Sequence, residues 1–228
     1  MPRLAIFLCI SLLGLVGCVG APTATLYQLD AGQPALPQAQ DGVAVLLGPV
    51  VLADYLQREV LLQRQTDGNL TVASEGRWAG SLSADVERLL LRQLAAQLDS
   101  QRVQTTPVAG FKPDVQVLLT ITRLDSGPKQ PAILQAQWRL LDSQGLLRDS
   151  RLVSQEQPHD GLLGSQVQAQ SQLLQQLAKA LALAIQALPA PVPASPPAAS
   201  KPPRKPAVKG PQTPVVDQPA RGPELLSF

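Results

Sequence analysis

Residues 115–140 read VQVLLTITRLDSGPKQPAILQAQWRL. Val115, Val117, Leu119 and Ile121 fall on one side of an extended chain, because successive side chains of a strand alternate between faces. After the turn, Leu134, Ala136, Trp138 and Leu140 repeat the pattern, with Gln135, Gln137 and Arg139 between them. The stretch Ser126-Gly127-Pro128-Lys129-Gln130-Pro131 separates the two runs and is rich in turn formers. The spacing predicts an antiparallel hairpin with one face dry and one wet. A further turn at Asp142-Ser143-Gln144-Gly145 predicts a third strand over 146–156.

Upstream of this hairpin, Thr25 to Leu29 alternates and reads as a short strand, and Ala31 to Gly42, with Pro34 and Pro37, reads as a loop. Val43 to Val51 is apolar throughout, the pattern of a strand buried on both faces, with donor-less Pro49 placed at an edge. Leu52 to Arg58 offers one helical turn or a tight bend, and Glu59–Gln65 and Leu70–Ala73 form a hairpin about Asp67-Gly68-Asn69. Arg77-Trp78 closes that section. Ser81 then caps a helix running to about Ser100, with Leu82, Val86, Leu89, Leu90, Leu94 and Leu98 on one face. Asp85 and Glu87, two apart on that helix, are expected to diverge as solvated surface. A short strand is expected near Arg102 to Thr106.

Downstream, a second helix from about Gly164 to Leu188 turns Val167, Leu174, Leu177, Leu181, Ile185 and Leu188 inward. Its other faces carry glutamine at 166, 168, 170, 172, 175 and 176 and almost no charge. The whole predicts an α/β (α+β) fold. A single domain holds a mixed, largely antiparallel sheet with two long amphipathic helices packed on it.

The termini differ in character. Arg3 precedes an apolar run over 4–16, whose helix would be about 20 Å long, short of the ~30 Å hydrocarbon core. This is the layout of a secretory signal. Leu15-Val16-Gly17-Cys18 resembles the bacterial lipobox, whose cysteine is acylated and becomes the mature N-terminus. The expected organisation is a signal peptide over 1–17, a lipidated linker over 18–24, a folded domain over 25–188 and a tail over 189–228. That tail holds 12 of the chain's 22 prolines and a net charge of +3, so it is expected to be disordered. Multiple acyl chains give stable anchoring, whereas one is marginal. Val19 stands where an aspartate would retain many such lipoproteins in the inner membrane, which favours the outer membrane facing the periplasm.

Composition excludes several functions. Net charge is +2 of 228 residues and aromatics make up 3%, so neither a nucleic-acid surface nor stacking platforms are expected. Cys9 leaves with the signal and Cys18 takes lipid, leaving no mature disulfide. His159 is the only histidine, no nucleophile elbow or phosphate loop occurs, and metal-ligand spacings are missing. The expectation is therefore no catalytic residue, no metal and no cofactor.

The apolar strand ending in Gly48-Pro49, then Leu52-x-x-Tyr55-Leu56-x-Arg58, Arg64 and Arg77-Trp78-x-x-x-Leu82, is similar to the auxiliary lipoprotein component of ABC-type transport systems, a group that includes the PqiC-type lipoproteins. Tyr27-x-Leu29 fits too, while Ala53, Gln57 and Glu59 replace the usual proline, aspartate and proline. The resemblance spans about 15–188. It implies a non-enzymatic outer-membrane lipoprotein working with a mammalian-cell-entry (MCE) domain protein that bridges the periplasm, and with its inner-membrane subunits. Such a complex would move lipid between membranes and preserve envelope integrity, and family members can assemble as homo-oligomeric rings.

Besides Cys18 for lipidation, six residues are candidates for partner binding: Tyr55, Leu56, Arg58, Arg64, Arg77 and Trp78. Each has a plainer role open to it. Trp78 can plug the core, Tyr55 and Leu56 can cap it, and the three arginines can share acidic neighbours instead of meeting lipid phosphate. Two other functions stay open: a cell-wall or assembly lipoprotein working through its basic tail, and a tethered hydrolase built on His159.

Overall fold

In the computed structural model, residues 24–189 are described. The signal segment, Cys18 and the proline-rich tail lie outside these residues. Eight strands and two helices follow one another as β1 (Thr25–Tyr27), β2 (Val45–Leu52), β3 (Val60–Arg64), β4 (Leu70–Trp78), α1 (Leu82–Gln97), β5 (Val103–Gln104), β6 (Val115–Gly127), β7 (Gln130–Asp142), β8 (Leu147–Gln157) and α2 (Leu163–Gln186). A 3-10 turn over Asp54–Gln57 links β2 to β3.

The expected hairpin is the spine of the sheet. β6 pairs antiparallel with β7 from Val115↔Asp142 to Gly127↔Gln130, and β7 pairs antiparallel with β8. Both strands of the hairpin run farther into the turn than the alternation suggested, so Asp125 and Ser126 sit within β6 and are buried. On its other side β6 pairs in parallel with β2 along its first half and with β3 at Gln63↔Ser126. β3 and β4 form the second hairpin, and β1 adds to β4 in parallel. The antiparallel ladders carry most of the paired residues in this mixed sheet.

Both helices lie on the same face. α1 packs on β2 and β5, α2 on β6, β7 and β8, and the helices pack on each other. Ser81 accepts from the Ala84 N–H at 3.4 Å and caps α1 as its sequence position predicts. Val117, Leu119, Ile121, Leu134, Ala136, Trp138 and Leu140 are buried against Leu89, Leu90, Leu94, Leu174, Leu177 and Leu181.

Four expectations need correction. β2 is buried on both faces only as far as Gly48; Pro49 and Val51 are exposed, because β5 pairs with Val45 and Leu46 alone. Pro49 thus does lie at an edge. β4 continues to Trp78 where a shorter strand was expected. Asp85 is buried instead of solvated: it accepts from Gln28 Nε2 at 3.1 Å and from the Arg88 guanidinium at 2.7 Å, and a carboxylate in the first helical turn also suits the helix dipole. Gln166 and Gln170 are fully buried, because the long β6 brings Ser126 and β3 brings Gln63 over that stretch of α2.

Candidate functional site

The residues singled out by sequence gather at the joint between the two hairpins. Tyr55 and Leu56 ride the 3-10 turn, Arg64 ends β3, and Arg77 and Trp78 end β4. At this joint β6 approaches β3 so closely that a Cβ on Gly127 would collide with the Arg64 carbonyl oxygen. A glycine is needed there by lack of space.

Two of the six meet on a residue that the sequence did not mark, Asp125, of which 1% is exposed. Arg64 grips its carboxylate with both ends of the guanidinium, Nε to Oδ1 at 2.9 Å and NH2 to Oδ2 at 2.7 Å. Arg123 Nε adds a bond to Oδ1 at 3.0 Å, and the Tyr55 hydroxyl donates to Oδ2 at 2.9 Å. The fork geometry of arginine suits such a two-point contact. Arg64 also donates to the Gly68 carbonyl at 2.8 Å, which ties the hub to the tip of the β3–β4 hairpin.

The electrostatics follow from this arrangement. Burial alone would raise the Asp125 pKa, but hydrogen bonds from Arg64, Tyr55 and Arg123 outweigh it and hold the carboxyl below its ordinary value. Burial, reinforced by the Asp125 charge, pushes the Tyr55 phenol up to about 12. The hydrogen bond to Asp125 raises the Arg64 guanidinium further above its already high value.

Behind the hub, Tyr55, Leu56 and Trp78 line a small cavity with Val60, Leu62, Leu82, Leu124, Asp125 and Gln170. Its volume is about 10 Å³, room for a single water. Leu56 and Trp78 are buried and serve the core. A space of that size is too small for an acyl chain. Beside it runs a polar layer in which Gln63 and Ser126 both donate to Gln166 Oε1, Gln170 Nε2 donates to Ser126, and Gln166 Nε2 donates to the Gly161 carbonyl.

Arg58 and Arg77 stand apart. Both are exposed, and among the described residues neither forms an ion pair or a side-chain hydrogen bond. Shared acidic neighbours therefore hold for Arg64 alone. Farther along the helices, Gln33, Gln93, Gln97 and Gln175 line an open, uncharged groove of about 400 Å³ with Gly32, Pro34, Ala35 and Ala96. Among the described residues no group of three or more His, Cys, Asp or Glu could hold a metal ion. His159 accepts from the Gly161 N–H at Nδ1, and Ser165 is hydrogen-bonded to Asp160 and the Leu162 carbonyl in the turn that opens α2. None of these bonds aligns Ser165 with His159 in the manner of a nucleophile and its base.

The fold is a mixed α/β sheet with both helices on one face, and of its six marked residues Tyr55, Leu56, Arg64 and Trp78 go into an ion-pair hub and a closed core while Arg58 and Arg77 stay exposed. The chain belongs to the ABC-type transport auxiliary lipoprotein component family, which matches it over residues 27–182. No curated protein matches it. Among solved structures, one of an uncharacterised protein superimposes with a TM-score of 0.58 at 21% identity, covering 72% of this chain and 99% of that one. Protein XCC0632 from Xanthomonas campestris, assigned to family DUF330, gives 0.53 at 20% identity, with 71% and 91% covered. A PelC dodecamer from Paraburkholderia phytofirmans gives 0.38 at 11% identity, with 69% and 97% covered. The first two share the fold of this chain.

Proposed function

We propose that this protein is a lipid-anchored, periplasm-facing outer-membrane accessory subunit of an MCE-type ABC transport system, acting without catalysis. In this reading acyl chains on Cys18 hold the domain at the bilayer, and it docks an MCE-domain protein whose inner-membrane subunits drive lipid between membranes. The family match across the folded domain carries the proposal. The arrangement of the joint supports it: the exposed Arg58 and Arg77 have guanidinium groups with no ion pair among the described residues, while Arg64 is held by Asp125 and the neighbouring cavity is too small for lipid.

Arg58 and Arg77 are therefore the contact residues of the six. Tyr55, Leu56, Arg64 and Trp78 act by holding their surface in place. The test is affinity capture of the full chain from detergent-solubilised envelopes. Recovery of an MCE-domain protein, lost on Arg58→Glu with Arg77→Glu while the fold survives, supports the reading. Capture without any MCE-domain protein, with the Cys18 anchor intact, overturns it.

A further inference from the structure

On the side of β6 away from β7, the ladder with β2 ends at Leu52↔Ile121, and β3 joins only at Gln63↔Ser126. Between these points, among the described residues, β6 meets the 3-10 turn of Asp54–Gln57 in place of a strand. The cavity of about 10 Å³ lies at this gap, lined by Tyr55 and Leu56 of the turn, Leu124 and Asp125 of β6, and Gln170 of α2. Gln170 is 1% exposed, and its Oε1, shielded from solvent, has no hydrogen-bond partner among the described residues. We propose that this cavity is a binding site for one water molecule, which donates to Gln170 Oε1 and to the Tyr55 hydroxyl oxygen and joins the Asp125 hub to the polar layer on α2.

Counting donors and acceptors leads to these two atoms. A carboxylate has about four lone-pair sites, and those of Asp125 are taken by two bonds from Arg64 and one each from Arg123 and Tyr55. The Tyr55 hydroxyl gives its proton to Asp125 and accepts from the Leu124 N–H at 3.4 Å, which leaves one lone pair open. Gln170 Nε2 donates to Ser126 Oγ at 2.9 Å, and Ser126 donates onward to Gln166 Oε1, so the layer itself supplies no donor to Gln170 Oε1. Turning the amide over does not cure this. Ser126 would then donate to Oε1, and the NH2 would be left without an acceptor in its place. A buried polar atom without a partner is costly, whereas a water-sized polar space with two partners for its occupant is not.

An ion fits the site less well. A cation would sit beside the Arg64 and Arg123 guanidinium groups, and the open acceptors, one amide and one phenol oxygen, are neutral. With the water in place, one run of hydrogen bonds crosses the sheet. It passes from Arg64 through Asp125 and Tyr55 to the water, then through Gln170, Ser126 and Gln166 to the Gly161 carbonyl. The joint between the hairpins and the loop that opens α2 are then held by the same chain of dipoles, whose members polarise one another. The site does not rest on the transport partner proposed above, and failed capture of that partner leaves it standing.

The test is diffraction, at a resolution that shows single ordered waters, from crystals of the full chain grown in mild detergent. The expected result is a peak at hydrogen-bond distance, about 2.6–3.2 Å, from both Gln170 Oε1 and the Tyr55 oxygen. Gln170→Met keeps the length of the side chain, removes its polar atoms and should lose the peak. In urea titrations Gln170→Met and Tyr55→Phe, whose side chains share no direct hydrogen bond, should together lower the midpoint by less than the sum of their separate effects. An empty cavity in the parent chain overturns the proposal, whether or not the variant folds. So does a peak that touches neither atom, a peak that survives Gln170→Met, or strict additivity of the two substitutions.

Discussion

Asp125→Asn removes one charge from the centre of the joint and changes almost no volume. The carboxylate accepts four bonds, two from Arg64 and one each from Arg123 and Tyr55. An asparagine keeps an acceptor on one side only. On the other side its NH2 faces two donors, so two of the four bonds are lost or must reverse, one of them from Arg64, and the two that remain lose the negative charge of their acceptor. A hydrogen bond to a charged group contributes about 1.5–3 kcal/mol, and charge assistance roughly doubles a bond. Against that loss, the variant no longer buries a charge, and Arg64 and Arg123 are about a quarter exposed and regain some water. The balance is a loss of about 2–3 kcal/mol. With a urea slope near 2 kcal/mol/M, the unfolding midpoint should fall by roughly 1–1.5 M. Trp78 and Trp138 are both buried and report the transition by fluorescence. Tyr55→Phe, which deletes the bond to Asp125 and a long one accepted from the Leu124 N–H, should lose only about 1–2 kcal/mol. A midpoint unchanged or raised in Asp125→Asn would refute the view that this ion-pair hub holds the two hairpins together.

The pH dependence follows from the same hub. Asp125 has a folded pKa below its unfolded value, so its contribution is complete above about pH 4 and is lost as pH falls through the lower folded value; Asp125→Asn should flatten the acid limb of a stability profile. Tyr55 has a raised pKa, so its contribution holds below about pH 10 and disappears as pH rises through about 12, a loss that Tyr55→Phe should not show in urea titrations. Gly127→Ala should cost about 2–3 kcal/mol or more by forcing β6 away from the Arg64 backbone, measured by thermal melting. Ser81→Ala should cost only about 0.5 kcal/mol in the same assay, at the low end for a helix cap, because its bond is 3.4 Å long.

The sheet and both helices were legible because their apolar residues keep strict periods. Val115 to Ile121 and Leu134 to Leu140 alternate, and Leu82 to Leu94 recur at helical spacing, so local geometry and burial agree. The joint was half legible. Tyr55 and Arg64 were marked, but their common partner Asp125 was not, since an acidic residue beside a turn reads as solvated. What buries it is a long-range event, the arrival of β3 on the far half of β6, and pattern within a single segment carries no trace of that. The one local hint was Arg123 two residues earlier, an arginine close enough to neutralise a carboxylate on the same strand. Asp85, Gln166 and Gln170 were misjudged for the same reason. Each lies where a polar side chain normally meets water, and each is covered by a segment distant in sequence: Gln28 over Asp85, and Gln63 and Ser126 over the glutamines.

β1 is only three residues long, yet it is the first described strand after the N-terminal segment. Its register runs from Thr25↔Gly76 to Tyr27↔Trp78, and the Ala79 N–H donates to the Tyr27 carbonyl. A tug applied upstream of it therefore acts along the strand axis, loading these bonds together in shear instead of unzipping them one at a time. Beyond the strand, Gln28 is fastened to Asp85 and the Asp30 N–H to Ser171, so the strain spreads into both helices. A short splice of this kind would let the domain ride a moving membrane without its sheet being peeled open.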